Sequence, residues 1–152
     1  MSQELHLVSF DLGTEEFVVD IAVVQEIIRM PEITTVPRAP QFVEGVVNLR
    51  GKIIPVVDLR KRFGLTAGEA AKGTRIIVVT IGGRTVGMIV DAVSEVLRLN
   101  ADSIEPTPEM VAAQIDTSFL KGIAKLEGRL LILLDLDLVL NPEENKALAA
   151  IS

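Results

Sequence analysis

Cysteine, tryptophan and tyrosine are absent from this chain, and histidine occurs once, at His6. Without cysteine there is no disulfide, no thiolate metal site and no cysteine nucleophile, a usage that fits a reducing compartment. A single histidine cannot form a histidine pair around a metal, and His6 reads as a surface residue near the chain end. Aromatic residues make up 3% of a sequence that is 49% hydrophobic, so the core must be assembled from valine, isoleucine and leucine. No apolar run reaches the ~18 residues that cross a bilayer. The longest, 130–140, is broken by Asp135 and Asp137. The opening MSQELHLVSF has no basic segment followed by an apolar stretch, so secretion is not expected. Basic charge is scarce as well. The net charge is −6, and the densest cluster, Arg60-Lys61-Arg62, reads as a solvated turn. Nucleic acid, whose phosphates require clustered cations, is therefore not an expected partner.

The catalytic inventory is equally thin. No serine lies in a G-x-S-x-G elbow, and neither a P-loop nor a G-x-G-x-x-G is present. Asp135 and Asp137, two apart on a strand, would share a face and could hold Mg²⁺. Leu-Asp-Leu-Asp-Leu nevertheless reads better as a half-buried strand with one wet face, and Asp135 has a counterpart in Asp58 that suggests a capping role. No catalytic residue, metal site or cofactor is expected.

What the chain does contain is repetition. Residues 45–59, GVVNLRGKIIPVVDL, superpose without a gap on residues 122–136, GIAKLEGRLLILLDL. They share two glycines, a leucine and a terminal Asp-Leu. A second echo lies upstream in each half, Val24-Gln-Glu-Ile-Ile-Arg29 against Val93-Ser-Glu-Val-Leu-Arg98. The period is about half the chain, too long for a solenoid, so two similar β units packed side by side are indicated. A chain of 152 residues can bury about 70% of its unfolded surface without a staple.

Turn chemistry divides each half into short strands. Residues 8–19 read as a hairpin about Gly13-Thr14, and Asp20 as the cap of a helical turn through Gln25. Pro31, Pro37 and Pro40 mark an edge or extended connection, because proline cannot donate to an interior ladder. Residues 46–49 and 52–57 flank Arg50-Gly51, and Asp58 caps one helical turn that Gly64 stops. Residues 64–74 form the loop between the halves. Then 75–81 and 86–90 flank Gly82-Gly83, a strong two-residue hairpin turn. Residues 100–119, with Pro106 and Pro108, are irregular; 122–126 and 129–134 pair about Glu127-Gly128. Asn141-Pro142-Glu-Glu144 begins a short C-terminal helix. The approximate halves are 8–63 and 75–140.

Binding residues are harder to place. Arg50 sits at a hairpin tip where the other half has Glu127. Partner recognition, a pair with a carboxylate such as Glu26, and simple exposure all remain open for it. Met110, on the proline-stiffened loop 104–110, reads either as an adaptable contact or as tucked onto the core.

The block from Phe42 through Asn48-Leu-Arg-Gly51 to Ile53-Ile-Pro-Val-Val-Asp-Leu59 resembles the CheW family of bacterial chemotaxis coupling proteins. So do Asp20 with Val24-Gln-Glu-Ile27, Val86-Gly-Met-Ile-Val-Asp-Ala-Val93, and Leu120-Lys-Gly-Ile-Ala124. The resemblance covers residues 5–145 as a single domain. It implies an all-β fold of two five-stranded SH3-like β-barrels packed around a shared core, and a non-enzymatic adaptor. The implied partners are the regulatory domain of a CheA-type histidine kinase and the cytoplasmic tips of methyl-accepting chemoreceptors, with no insertion into the membrane itself. The implied location is the cytoplasm, at receptor arrays on the inner face of the membrane. By position, Val24, Glu26, Gly45, Arg50, Gly87 and Val93 fall where receptor coupling is sensitive, lining or supporting a groove for a helical hairpin. Ile33 and Val36 fall at the main kinase contact, Glu105 and Met110 at a second; Glu105 is an acid where some relatives place a base. No receiver domain of the CheV kind is included. A similar adaptor serving a pilus or other surface-behaviour pathway is the near alternative, and a small-ligand β-barrel the remote one.

Overall fold

The computed structural model describes residues 3–62, 72–105, 120–139 and 146. The chain is all-β: β1 (Glu4–Leu12), β2 (Glu15–Asp20), β3 (Val24–Arg29), β4 (Val43–Leu49), β5 (Lys52–Asp58), β6 (Arg75–Ile81), β7 (Arg84–Val90), β8 (Ala92–Asn100), β9 (Ile104–Glu105), β10 (Leu120–Leu126) and β11 (Arg129–Leu134). Among the described residues, the short helix α1 (Leu59–Arg62) and three 3-10 turns punctuate them. Met110, most of the inter-half loop and the expected tail helix lie outside the described residues, except that Lys146 is helical.

The strands form two sheets, ordered β8-β1-β2-β11-β10-β9 and β3-β6-β7-β5-β4. Under the sequence repeat, β3 matches β8, β6 matches β1, β7 matches β2, and the hairpin β4–β5 matches β10–β11. The two orders are then the same order. Each half lends its first hairpin to the other half's sheet, so each sheet takes strands from both 8–63 and 75–140. The exchange creates four joints between the halves, the antiparallel pairs β1–β8 and β3–β6 and the parallel pairs β2–β11 and β5–β7.

Burial follows from it. The lent hairpins lie inside the molecule, and their strands are apolar on both faces, as fully covered strands must be. On β6, Ile76 and Val78 point into the second sheet's own interior with Val47, Ile54, Val56 and Ile89. Ile77, Val79 and Ile81 point the other way, into a core shared with Val8, Phe10 and Phe17 of the first sheet. A third cluster, with Leu7, Val18, Leu97 and Leu131, fills the first sheet. Two interiors and one shared core are the anatomy of two packed barrels.

The seams are drawn together by the chain itself. β8 passes through the 3-10 turn Ala101–Ser103 into β9, which pairs with β10 on the opposite edge of the same sheet. One short segment can supply both edges only if the sheet curls. In the other sheet the continuation of β3 does the same through an isolated bridge, Thr34 with Val46.

Local expectations met different outcomes. Asp20 caps a 3-10 turn, but that turn ends at Val23, and Val24 and Gln25 begin β3. Pairing with β6 overrides the local helical tendency there. Asp58 and Asp135 each accept an amide hydrogen two residues on, from Arg60 and Asp137. Leu136–Leu138, read as an alternating strand, is instead the 3-10 turn that Asp135 caps. The largest departure is Arg60. Far from a solvated turn, it is 6% exposed and sits between Asp58 and Asp91.

Candidate functional site

Tight turns place Arg50 and Glu127 at matching hairpin tips. Both non-glycine residues adopt φ near +50°, and each is followed by a glycine at φ +85° or +79°. Successive left-handed residues suit the primed two-residue turn that matches strand twist. Asn48 braces the first tip by accepting the Gly51 amide hydrogen at 2.8 Å.

From that tip Arg50 reaches Glu26. Its Nη1 donates to Oε1 at 3.1 Å, and Nη2 donates to Oε2 in a second, shorter contact. Glu26 lies on β3, at one edge of the sheet; Arg50 joins β5 to β4, at the other edge. The fork of two hydrogen bonds therefore bridges the barrel seam from outside. The hydrogen bonds from Arg50 hold the Glu26 carboxyl below the usual carboxylate range, and the guanidinium is raised in return. Gln25, beside Glu26, is held by Thr80 and Thr85 at 3.1 and 3.0 Å.

The second barrel handles the matching position differently. Glu95, the counterpart of Glu26, accepts from Arg129 Nη1 at 3.0 Å, and Arg129 also lies 3.4 Å from Glu16. Glu127 occupies the tip, so the positive group has moved from the tip to the strand.

The remaining residues sort into surface and interior. Val24 and Val93 are matched positions, and both pack half-buried against the shared core. Gly45 and Gly87 are buried. A methyl group at Gly45 would overlap the Thr34 carbonyl, and one at Gly87 would come 2.9 Å from Ile76 Cγ2 inside the barrel. The two glycines present no side chain to the surface; they allow close packing inside the sheet. Ile33 packs on the second sheet's interior with Ile28, Met30 and Leu49. Val36 lies beyond it, half-buried, its carbonyl accepting the Ala39 amide at 3.3 Å. Glu105 is exposed on β9, with Lys125 Nζ 4.0 Å away.

Register reveals a relationship that reading along the chain missed. Thr34 pairs with Val46, and Glu105 pairs with Ile123, which matches Val46 in the repeat. Thr34 and Glu105 are thus equivalent edge positions, and so are Ile33 and Ile104. Gly45 and Gly122, at matching bulges, each bring β4 or β10 against that edge. The repeated glycines were the signal that could have found Ile104. Exposed apolar residues obey the same symmetry: Ile27 matches Val96, and Ile53 matches Leu130, each 41% to 58% exposed.

Among the described residues no group of three or more potential ligands could hold a metal ion, and no helix is long and apolar enough to cross a membrane. Asp137, weighed as a magnesium ligand, accepts the Gly82 amide hydrogen at 3.1 Å. His6 is exposed, 3.2 Å from Glu4.

The fold defines an all-β module of two interlocked, barrel-like sheets. The profile of the CheW-like domain matches residues 6–144, so the chain belongs to the CheW-like family. It is 41% identical over 141 residues to the chemotaxis protein CheW of Rhizobium meliloti, covering 93% of this chain and 90% of that one. The CheW of Klebsiella aerogenes is 43% identical over 135 residues, covering 89% and 81%. The crystal structure of the scaffolding protein TtCheW from Thermoanaerobacter tengcongensis superposes with a TM-score of 0.85 at 42% identity, covering 93% and 96%. The protein is a non-enzymatic adaptor of that family.

Proposed function

We propose that this adaptor works in chemotaxis, coupling the cytoplasmic tips of transmembrane chemoreceptors to the regulatory domain of a CheA-type histidine kinase. It would act in the cytoplasm, at receptor arrays on the inner face of the membrane. The reading rests on membership of the CheW-like family over residues 6–144. The observation that carries it to particular residues is the Glu26–Arg50 fork across the barrel seam. An exposed ion pair stabilises a fold little, so a forked pair held on a braced tip is better explained by what it presents. Val24, Glu26, Arg50 and Val93 form the receptor face, backed by the close packing that Gly45 and Gly87 permit. Ile33 and Val36 contribute to the main kinase face, Glu105 and Met110 to the second. Receptor state then alters which arrangement of kinase and adaptor is favoured, through contacts that differ between those states.

Receptor-bearing membranes, kinase and adaptor reconstituted together test this. Arg50→Glu should abolish receptor-dependent kinase activation while leaving the melting temperature within about 2 °C, as expected for an exposed pair. Activation at the wild-type level, or a large fall in melting temperature, would refute the assignment. Val36→Lys should weaken retention by the isolated kinase regulatory domain without disturbing Arg50; Val36 is the cleaner probe, since Ile33 also fills the barrel.

A further inference from the structure

The chain passes between the sheets at matched points, at Asp20, which ends β2 ahead of β3, and at Asp91, between β7 and β8. These two corners are built differently.

At the Asp91 corner a network centred on a buried guanidinium joins three segments. Arg60 donates from Nε and Nη2 to the two oxygens of Asp58 at 3.0 and 2.9 Å, and from Nη1 to Asp91 Oδ1 at 2.9 Å. Asp91 Oδ2 accepts the Gly13 amide hydrogen at 2.7 Å, and the Asp91 amide donates to the Asp11 carbonyl at 3.0 Å. Asp58 ends a strand of the second sheet, whereas Asp11 and Gly13 belong to the first sheet's hairpin. The network therefore ties barrel to barrel, and Asp58 and Arg60 are 2% and 6% exposed.

At the other corner the position matching Arg60 is Asp137, and an acid cannot bridge carboxylates. Asp137 instead accepts the amide hydrogen of Gly82, the counterpart of Gly13, at 3.1 Å. Asp20 spends its carboxylate on Ala22 at 2.9 Å. This corner is open to solvent: Ile21 is 40% exposed and Leu138 51%. Both glycine amides donate to a carboxylate at the surface, but Asp91 is in turn fixed by the buried Arg60, and such charge-assisted support slows local opening.

We propose that the Asp58–Arg60–Asp91 corner is a fixed pivot that sets the angle between the barrels, and that the Asp20–Asp137 corner is the yielding end. Arg60 and Asp91 are then positioning residues. The yielding end runs directly into β3 and Glu26, so rocking about the pivot would move that face relative to the first sheet. The inference concerns the free protein and does not depend on which partners dock there.

Solution NMR tests it without a partner. In the wild type, the Gly13 amide should exchange with solvent at least about tenfold more slowly than that of Gly82, because both lie at the surface but the acceptor of Gly13, Asp91, is itself held by the buried Arg60. Residual dipolar couplings from both sheets should fit one alignment tensor. Asp91→Asn leaves the Asp58–Arg60 pair neutralised but weakens the bridge. It should bring Gly13 up to the rate of Gly82 and split the couplings into two tensors, each still fitting its own sheet. Arg60→Lys, which keeps the charge and loses the fork, should do so in part. Equal exchange at Gly13 and Gly82 in the wild type would overturn the proposal whatever the variants do. A single tensor in a folded Asp91→Asn protein would overturn it too.

Discussion

Gly122 and Gly128 stand six residues apart and are glycine for different reasons. A methyl group at Gly122 would lie 2.6 Å from both the Glu105 carbonyl oxygen and Ile104 Cγ2, whereas at Gly128 nothing lies within 4 Å. Gly128→Ala should therefore cost only the left-handed backbone, about 1–2 kcal/mol. Gly122→Ala must also push β9 from β10 and should cost about 2–4 kcal/mol. Urea midpoints of the two variants check the order; equal losses would mean the β9 seam gives way freely. At this scale the sequence is legible where the reason is local. Arg50-Gly51 and Glu127-Gly128 announce their turns, and Asp58 and Asp135 their caps. Arg60 does not announce its burial, because one of its three side-chain hydrogen bonds goes to Asp91, thirty-one positions away.

Strand by strand, the apolar pattern reports how many faces are covered. β6 reads RIIVVTI with five of its seven residues buried, whereas the outer part of β8 alternates, Val96 exposed and Leu97 buried. On β6, Ile77→Ala and Val78→Ala should both destabilise substantially, by about 2–4 kcal/mol for the isoleucine and somewhat less for the smaller valine. They empty different cores, one shared and one internal to a barrel. On β8, Val96→Lys should stay within about 0.5 kcal/mol of wild type, while Leu97→Ala should cost about 2–4 kcal/mol. Chemical denaturation of the four variants decides it: a tolerant position on β6 would mean that one face of the lent hairpin is not packed. β3 was the element least visible in advance. Its six residues follow a helix-capping Asp20, and only pairing with β6 makes them a strand.

For the molecule as a whole, the exchange of hairpins makes the halves interdependent. A fragment ending at residue 66 would keep β3, β4 and β5 but lack β6 and β7, which join β3 to β5. Neither that fragment nor its complement from residue 67 should show a cooperative transition as a dilute monomer. Mixed at equal concentration, the two should regain the melting curve of the intact chain. A sigmoidal melt from either monomeric fragment would show that the hairpins can return to their own half. Length, the aliphatic core, the doubled block and the turn at each hairpin tip are fixed by residues close together in the chain, so the sequence alone determined an all-β, twofold-repeated protein. Which hairpin enters which sheet was decided only by tertiary structure. The two halves carry nearly the same strand pattern, and a β1–β2 hairpin fits between β8 and β11 by the same alternation that would seat it beside β3 and β5. The exchange, the burial of Arg60 and the meeting of Arg50 with Glu26 from opposite sheet edges all depend on contacts between residues far apart in the chain, where no local pattern records the choice.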